Sequence, residues 1–529
     1  MDTSQGTANR QIARAAGLVM AAFALNNIVG LARQVIVLNA FGTSGEMDAF
    51  IAANRVSETL FTLVAGGALA SAFIPTFTSL LVKDDDRGAW KLASAITNLI
   101  LLILTLTALL AAILAPLIVR YILAPGFAAN PAQEQLAVDL MRLMLPSAVL
   151  FGLSGLAIGI LNSKQIFFLP ALAPMMYQLG MIFGVLVLSP SLGIFGLAWG
   201  VLLGSALYLL IQLPALLRLG GQYFPILGLK LPAVREVGRL MVPRLLGLAF
   251  VQLNFWITIR LATGISQGSV TGVYFAFTLM LMPQALIAQS IAIAALPTFS
   301  AQFAQNKLNE MRSSLASSLR SVLLLSLPAA VGLIILRQPL VELIYQRGEF
   351  TARSTELVAW ALLWFAVGLV GHSLVEIMVR AFYAMHDTKT PVLIGIAAMS
   401  LNIIFSLLFV DLFTSLDWMP HGGLALANSL ATTLEMIVLL YIMSRRLHGL
   451  EGRRILIVFG KAALAMFIMA IVLVAWINQA LHQPLWLLVV VGVALGAGVY
   501  GIMVLILGVK EARNLLSSAR DLVRQKISA

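Results

Sequence analysis

The sequence predicts an all-α polytopic membrane protein of about fourteen transmembrane helices, built as two pseudo-symmetric six-helix lobes with two further helices at the C-terminal end. Three observations carry this. The 529 residues are 60% hydrophobic and only 11% charged, with a mean hydropathy of +0.97, whereas a soluble domain carries about 25% charged residues. Residues 92–119 and 462–509 hold no Asp, Glu, Lys or Arg. An uncharged apolar run of roughly 20 residues crosses a bilayer as a helix, and the second run is long enough for two. The basic residues, finally, fall on alternate loops.

Taken in order, spans are expected at about 12–40, 48–81, 92–122, 135–162, 167–189, 191–217, 232–263, 267–303, 313–346, 354–384, 390–412, 422–444, 455–479 and 484–509. The side that holds the N-terminus also receives the loop after every even span, and it carries 25 of the 34 Lys and Arg residues. The opposite side holds only Arg120, Arg337, Arg347 and Arg353. The positive-inside rule then puts both termini in the cytoplasm, which requires an even number of spans. The net charge of +12 is read as cytoplasmic anchoring charge, not as a nucleic-acid surface. Residues 1–9 are polar and the first apolar stretch is too long for a signal-peptide core, so the first span is expected to act as an uncleaved insertion signal. Residues 510–529 place Leu515, Leu516, Leu522 and Val523 at helical spacing between basic residues. This predicts a cytoplasmic amphipathic helix on the anionic inner leaflet, with a frayed, solvated tail as the alternative.

The chain has no cysteine, which excludes disulfides, thiolate metal sites and cysteine nucleophiles. It has neither a Gly-x-x-x-x-Gly-Lys-Ser/Thr loop nor a His-x-x-Glu-His cluster, which argues against ATP hydrolysis and metalloenzyme chemistry. No cofactor is expected.

The first six spans resemble the next six. Ala72-Phe73-Ile74-Pro75-Thr76-Phe77 recurs as Ala295-Leu296-Pro297-Thr298-Phe299. Ala115-Pro116-Leu117-Ile118 recurs as Gln338-Pro339-Leu340-Val341, and Gly126-Phe127 loosely as Gly348-Glu349-Phe350, all at an offset of about 222 residues. Repeats of an even number of spans run parallel, and their interface is where alternating-access transporters place their sites. The expected division is 1–220 and 221–447 for the lobes, 448–509 for the appended pair and 510–529 for the tail.

Two blocks of residues resemble a known family. The first runs from Gly30-Leu-Ala-Arg33 through Phe41-Gly42 and Asp48-Ala-Phe50 to Gly66-Gly67-Ala68 and Ala72-Phe73-Ile74-Pro75. The second holds Tyr345-Gln-Arg-Gly-Glu-Phe-Thr351, Arg380-Ala-Phe-Tyr-Ala384 and Asp387-Thr-Lys-Thr-Pro391. They resemble the MurJ/MviN-type lipid II flippases of the multidrug/oligosaccharidyl-lipid/polysaccharide exporter superfamily, and the chain is read as a divergent member. The resemblance implies a cationic cavity between two lobes and a groove lined by the last two spans for a polyprenyl tail. The implied substrate is lipid II or a related undecaprenyl-pyrophosphate glycan, moved from the inner to the outer leaflet of the bacterial cytoplasmic membrane. Membrane lipids and cell-wall synthesis proteins are the implied partners, and nucleic acid is not one.

Arg33, Arg55, Arg142, Arg244 and Arg260 lie within spans. A charge at mid-bilayer costs at least about 2.5–3.5 kcal/mol, so each should face a cavity or a partner. Arginine's planar fork suits phosphate and carboxylate oxygens. Arg33 sits mid-span beside Gly30 and matches the family's cavity arginine, so the resemblance implies it as the leading headgroup ligand, with Asn26, Asn27, Asn54, Arg55 and Arg244 as further candidates. An ion pair with Asp48 is the competing reading for Arg33, and Asp48 is also a candidate gate. Arg55 and Glu58, three apart, share a helix face and suit a local pair, as do Arg142 and Asp139. His372, Glu376 and Glu435 are the other intramembrane ionisable groups. His372 and Glu376 align on one face and can carry a proton, or His372 can simply be a hydrogen-bonded packing residue.

The chain departs from the family pattern. Asn26-Asn27 stand where Ser-Arg is usual, Phe61 replaces a basic residue, Gly66 an acid, and Phe277-Thr278 an Asp-Arg pair. Positions matching a sodium site in some members are Thr258, Asn402, Ser406 and Ser429, with no carboxylate; Asn402 is the one weak candidate ligand and no other metal is expected. Three alternatives therefore stay open: a flippase for another polyprenyl-linked glycan such as an O-antigen or exopolysaccharide unit, a multidrug-type small-molecule antiporter, and a non-transporting scaffold.

Overall fold

The computed structural model describes residues 22, 24–64, 68–480 and 482–513, apart from a few side chains near residue 68 and at 243, 244 and 246. Every described element is helical. Twelve helices are long and apolar enough to cross a membrane, and a thirteenth, Pro232–Thr263, qualifies if its bend of 44° is taken within one span. The remaining expected span corresponds to Gly45–Val64 and Ala68–Val82. Its first half carries Glu46, Asp48, Arg55 and Glu58, which is why apolarity alone does not mark it. The expected amphipathic tail lies almost wholly outside the described residues.

The chain divides into two compact units, Met1–Val270 with Arg347–Phe350, and Thr271–Gln346 with Thr351–Ala529. In the first unit the long helices are α1 (Ala24–Phe41), α2 (Gly45–Val64), α3 (Ala68–Val82), α4 (Asp86–Ile113), α5 (Pro131–Met144), α6 (Pro146–Ser163), α7 (Phe168–Phe183), α8 (Ile194–Leu210) and α9 (Pro232–Thr263). Their starts follow local chemistry. Asp85 caps α4, its carboxylate accepting from the Gly88 amide at 2.8 Å. Pro131, Pro146 and Pro232 occupy the first turn, where no amide hydrogen is needed.

Helices α7 and α8 approach through small residues. A Cβ on Gly184 would lie 2.6 Å from the Gly200 Cα, and one on Gly204 would lie 2.6 Å from the Tyr177 carbonyl oxygen. This is the small-xxx-small mode of membrane helices, in which close backbone approach replaces a hydrophobic driving force that lipid does not supply. The short Arg347–Phe350 segment docks on the end of α1: the Glu349 amide donates to the Asn39 carbonyl at 2.9 Å. Gly42 and Gly348 both adopt positive φ, 54° and 55°, and both face a neighbouring backbone carbonyl with no room for a side chain.

In the second unit the helices are α10 (Ser269–Gln284, whose first two residues fall in the first unit), α11 (Ser290–Ala304), α12 (Leu308–Tyr345), α13 (Ala352–Ala384), α14 (Lys389–Ser415), α15 (His421–Arg446), α16 (Gly452–Gln479) and α17 (Leu485–Ile506). At 1.5 Å per residue α12 is about 57 Å long, well beyond a hydrocarbon core of about 30 Å. The repeated Pro-Thr-Phe motif lies in α3 and in α11. Its phenylalanines, Phe77 and Phe299, are 0% and 1% exposed and each enters an apolar cluster of its own unit.

Candidate functional site

Polar side chains of α2 and α9 form a network inside the first unit. Glu58 accepts from Asn54 Nδ2 at 2.9 Å and from Arg55 Nη1 at 3.1 Å. Arg55 Nη2 donates to Gln252 Oε1 at 2.7 Å, and the guanidinium lies 4.1 Å from the centroid of the Phe255 ring. Trp256 Nε1 donates to Thr59 Oγ1 at 2.8 Å, and that hydroxyl donates to the Arg55 carbonyl. Arg55 is thereby neutralised by its neighbour on α2 and screened by a cation–π contact from α9. Asn54 Oδ1 and Arg55 Nε are buried and have no partner among the described residues.

Arg33 has a poorer environment. Asn26, Gly30 and Arg33 follow one another along one face of α1, towards α7. Arg33 Nη1 donates to Met181 Sδ at 3.3 Å, and a thioether is a weak acceptor. Arg33 Nε, Asn26 Oδ1 and Gln178 Oε1 are buried without a hydrogen-bond partner among the described residues. Gly30 faces the Gln178 amide, which a Cβ there would meet at 3.7 Å. Buried polar atoms in folded proteins are nearly always paired. A half-buried guanidinium and two amide oxygens left unmatched are donors and acceptors available to a polar ligand.

Asn27 is exposed, and the Arg244 side chain lies outside the described residues. Asp48, 2% exposed, accepts from the Gly268 amide at 2.6 Å. It therefore ties the loop after α9 to the first turn of α2. Arg142 lies 3.9 Å from Asp139. Arg260 donates to the carbonyls of Tyr121 and Ile122, holding the end of α9 against residues 118–123. Sequence reasoning missed Met181 as the partner of Arg33, Gln252 and Phe255 as partners of Arg55, and Gln178 and Trp256 beside them. The signal was present for two of them: glutamines are out of place in apolar spans.

The second unit does not bring His372 and Glu376 together. His372 Nε2 shares a hydrogen bond with Asn428 Oδ1 at 3.0 Å, and Glu376 pairs with Arg380 at 2.6 Å. Of the sodium-site positions, Ser429 donates to the Trp364 carbonyl at 2.7 Å and Thr258 to the Asn254 carbonyl at 3.0 Å; Asn402 is 3% exposed. Among the described residues no three His, Cys, Asp or Glu cluster as a metal site. These positions offer neutral oxygens only, with no carboxylate among them.

The second unit also holds an apolar groove of about 940 Å³ between α10, α12, α16 and α17, lined by residues such as Met282, Leu286, Leu336, Leu473, Gly496 and Tyr500. Small residues open it: Gly332, Gly492 and Gly496 stand where longer side chains would fill the space. The appended helices that wall it are fastened to α12. Arg320 pairs with Glu451 at 3.0 Å and with Glu511, and Glu451 also meets Arg454 at 3.2 Å. Desolvation opposes ionisation of Glu451, yet its bonds to Arg454 and Arg320 hold the carboxyl below the usual carboxylate range. Lys461 Nζ donates to the Leu507 carbonyl and the Tyr500 hydroxyl to the Leu324 carbonyl, each at 2.7 Å.

Comparison with known proteins agrees with this architecture. A family model described as lipid II flippase MurJ matches residues 37–494. The lipid II flippase MurJ of Burkholderia cenocepacia is 30% identical over 430 residues, 80% of this chain and 82% of that protein. The probable lipid II flippase MurJ of Vibrio cholerae serotype O1 is 28% identical, covering 82% of this chain and 83% of its own. A solved lipid II flippase MurJ in an inward closed conformation superposes with a TM-score of 0.78 at 25% identity, covering 94% of this chain and 99% of that one. An inward-facing multidrug resistance MATE family transporter of the MOP superfamily shares the fold, with a TM-score of 0.69 at 16% identity over 81% of this chain and 96% of its own. This multi-pass membrane protein, with its half-satisfied arginine on α1 and its apolar groove beside α16 and α17, belongs to the lipid II flippase MurJ family.

Proposed function

We propose that the chain moves lipid II, the undecaprenyl-pyrophosphate-linked peptidoglycan precursor, from the inner to the outer leaflet of the bacterial cytoplasmic membrane by alternating access. The observation that carries the reading is the family match across residues 37–494. The chemistry of the two sites supports it. Arg33, with the unmatched amides of Asn26 and Gln178, suits the diphosphate and sugar groups of an amphipathic carrier, with Asn54, Arg55 and Arg244 of the same unit as further candidates. The apolar groove suits a prenyl chain, which gains nothing from water and needs no hydrogen bonds. Transport of this kind makes and breaks no covalent bond; it lowers the barrier to carrying a polar headgroup through hydrocarbon. Both termini in the cytoplasm, repeats at 1–220 and 221–447 with 448–509 as an appendage, and partners among the cell-wall synthesis proteins complete this reading.

A second reading, a flippase for another polyprenyl-linked glycan, is favoured by one feature. Phe61, at a position where the resemblance implies a cation, packs with its ring centroid 4.5 Å from that of Phe151, tilted by 46°, in an aromatic cluster with Tyr177 and Tyr208. Apolar rings there make the headgroup region less cationic than the family pattern. The test is depletion of the resident lipid II flippase in a host carrying this chain. Wild type is expected to restore growth and Arg33→Ala to fail at equal membrane abundance. Rescue by both removes Arg33 from the mechanism. Failure of the wild type, with export of another lipid-linked glycan restored in a host lacking that flippase, selects the second reading.

A further inference from the structure

Neither the arginine site nor the groove uses Glu435. At 1.5 Å per residue it stands about 21 Å along α15 from His421 and about 15 Å from Arg445, deep within the span. It is half-buried, and among the described residues it makes no hydrogen bond or ion pair. It faces Gly395 of α14, where an added Cβ would lie 3.5 Å from Glu435 Oε1, so the glycine leaves open the space beside the carboxyl group. Gly395, Asn402 and Ser406 fall on one face of α14, and the last two are 3% and 2% exposed. Asn428, Thr432 and Glu435 likewise follow one face of α15, and Asn428 is the partner of His372. Neutral hydrogen-bonding side chains thus line the α14 and α15 faces from the level of His372 to that of Glu435.

No cation neutralises this carboxylate from the packed elements. Helix α13 brings His372, held by Asn428, and Glu376, already paired with Arg380. Helix α14 has no charged or histidine residue between Lys389 and Asp411, and α15 none except Glu435 between His421 and Arg445. An uncompensated carboxylate at this depth is costly, and the neutral acid is not.

We propose that Glu435 is a proton-binding site of the transport cycle: its carboxylate takes a hydrogen ion from water at one membrane face and returns it at the other. Uptake forms one O–H bond and release breaks it; no other bond changes. The proposal goes beyond the flippase reading and holds whichever lipid is carried.

Dicyclohexylcarbodiimide reacts with protonated carboxyl groups in membranes, so it reads the site directly. The full chain in liposomes, without substrate, is treated across a pH series and mapped by peptide mass spectrometry. The expected result is an adduct on Glu435 at neutral pH whose yield falls as the pH is raised and which disappears in Glu435→Gln. Absence of the adduct at every pH, or a yield that does not change with pH, overturns the proposal. Glu435→Asp is expected to retain the adduct, which guards against a folding defect in the amide variant. Because no lipid-linked glycan is present, this outcome and the growth rescue described above fail independently.

Discussion

Arg33 and Arg55 look alike in the sequence, two arginines in the first two spans, and the structure separates them. Arg55 is engaged on three sides, by Glu58, by Gln252 and by the Phe255 ring. Arg33 has a methionine sulfur. A guanidinium held by a carboxylate, an amide oxygen and a ring belongs chiefly to the scaffold, and one held only by a thioether has more donors to offer. Arg55→Ala is therefore expected to act on stability, leaving Glu58 and Gln252 short of a charged donor. The loss should be about 2 kcal/mol, read as a lower melting midpoint of the purified protein in detergent; an unchanged midpoint would mean the network adds nothing. The Arg55–Glu58 pair was legible from spacing three apart. Its completion by Gln252 was not, because the two positions are 197 apart in sequence. Helical periodicity says which face of a span is polar, not which distant span will meet it.

At the scale of elements, the hydropathy pattern marks nearly every long helix, since an apolar run must be helical to satisfy its backbone in lipid. It does not mark how helices meet. The α7–α8 seam rests on glycines at four-residue spacing, and Gly184→Ala is expected to push the helices apart at the Gly200 Cα. Overpacking of this kind costs about 1–3 kcal/mol, so the variant should melt earlier than wild type in detergent, whereas an Ala substitution at exposed Gly498, which has nothing within 4 Å of its added Cβ, should not. The charge-bearing α2 is the element that hydropathy serves least well, and it is also the one that carries Asn54, Arg55 and Glu58. An element that places charges inside a membrane gives up the signal by which spans are recognised.

For the molecule as a whole, the positions of 34 basic residues argue for the orientation. A protease-cleavable tag at each terminus is expected to be cut in inverted membrane vesicles and protected in right-side-out ones; cleavage of one tag in each orientation would reverse that reading. One of those cations does more than anchor a loop. Arg320 counted as a loop anchor, yet it is 9% exposed inside α12 and gripped by Glu451 and Glu511. Loop statistics cannot distinguish a lysine in water from an arginine in a buried clamp near the same membrane face. That clamp also sets an order of events during synthesis. Glu451 and Glu511 follow Arg320 by 131 and 191 residues, so the nascent protein carries the guanidinium of α12 before either acid has been made. The wall of the apolar groove is fastened in two stages, and a chain without Glu511 holds Arg320 by Glu451 alone.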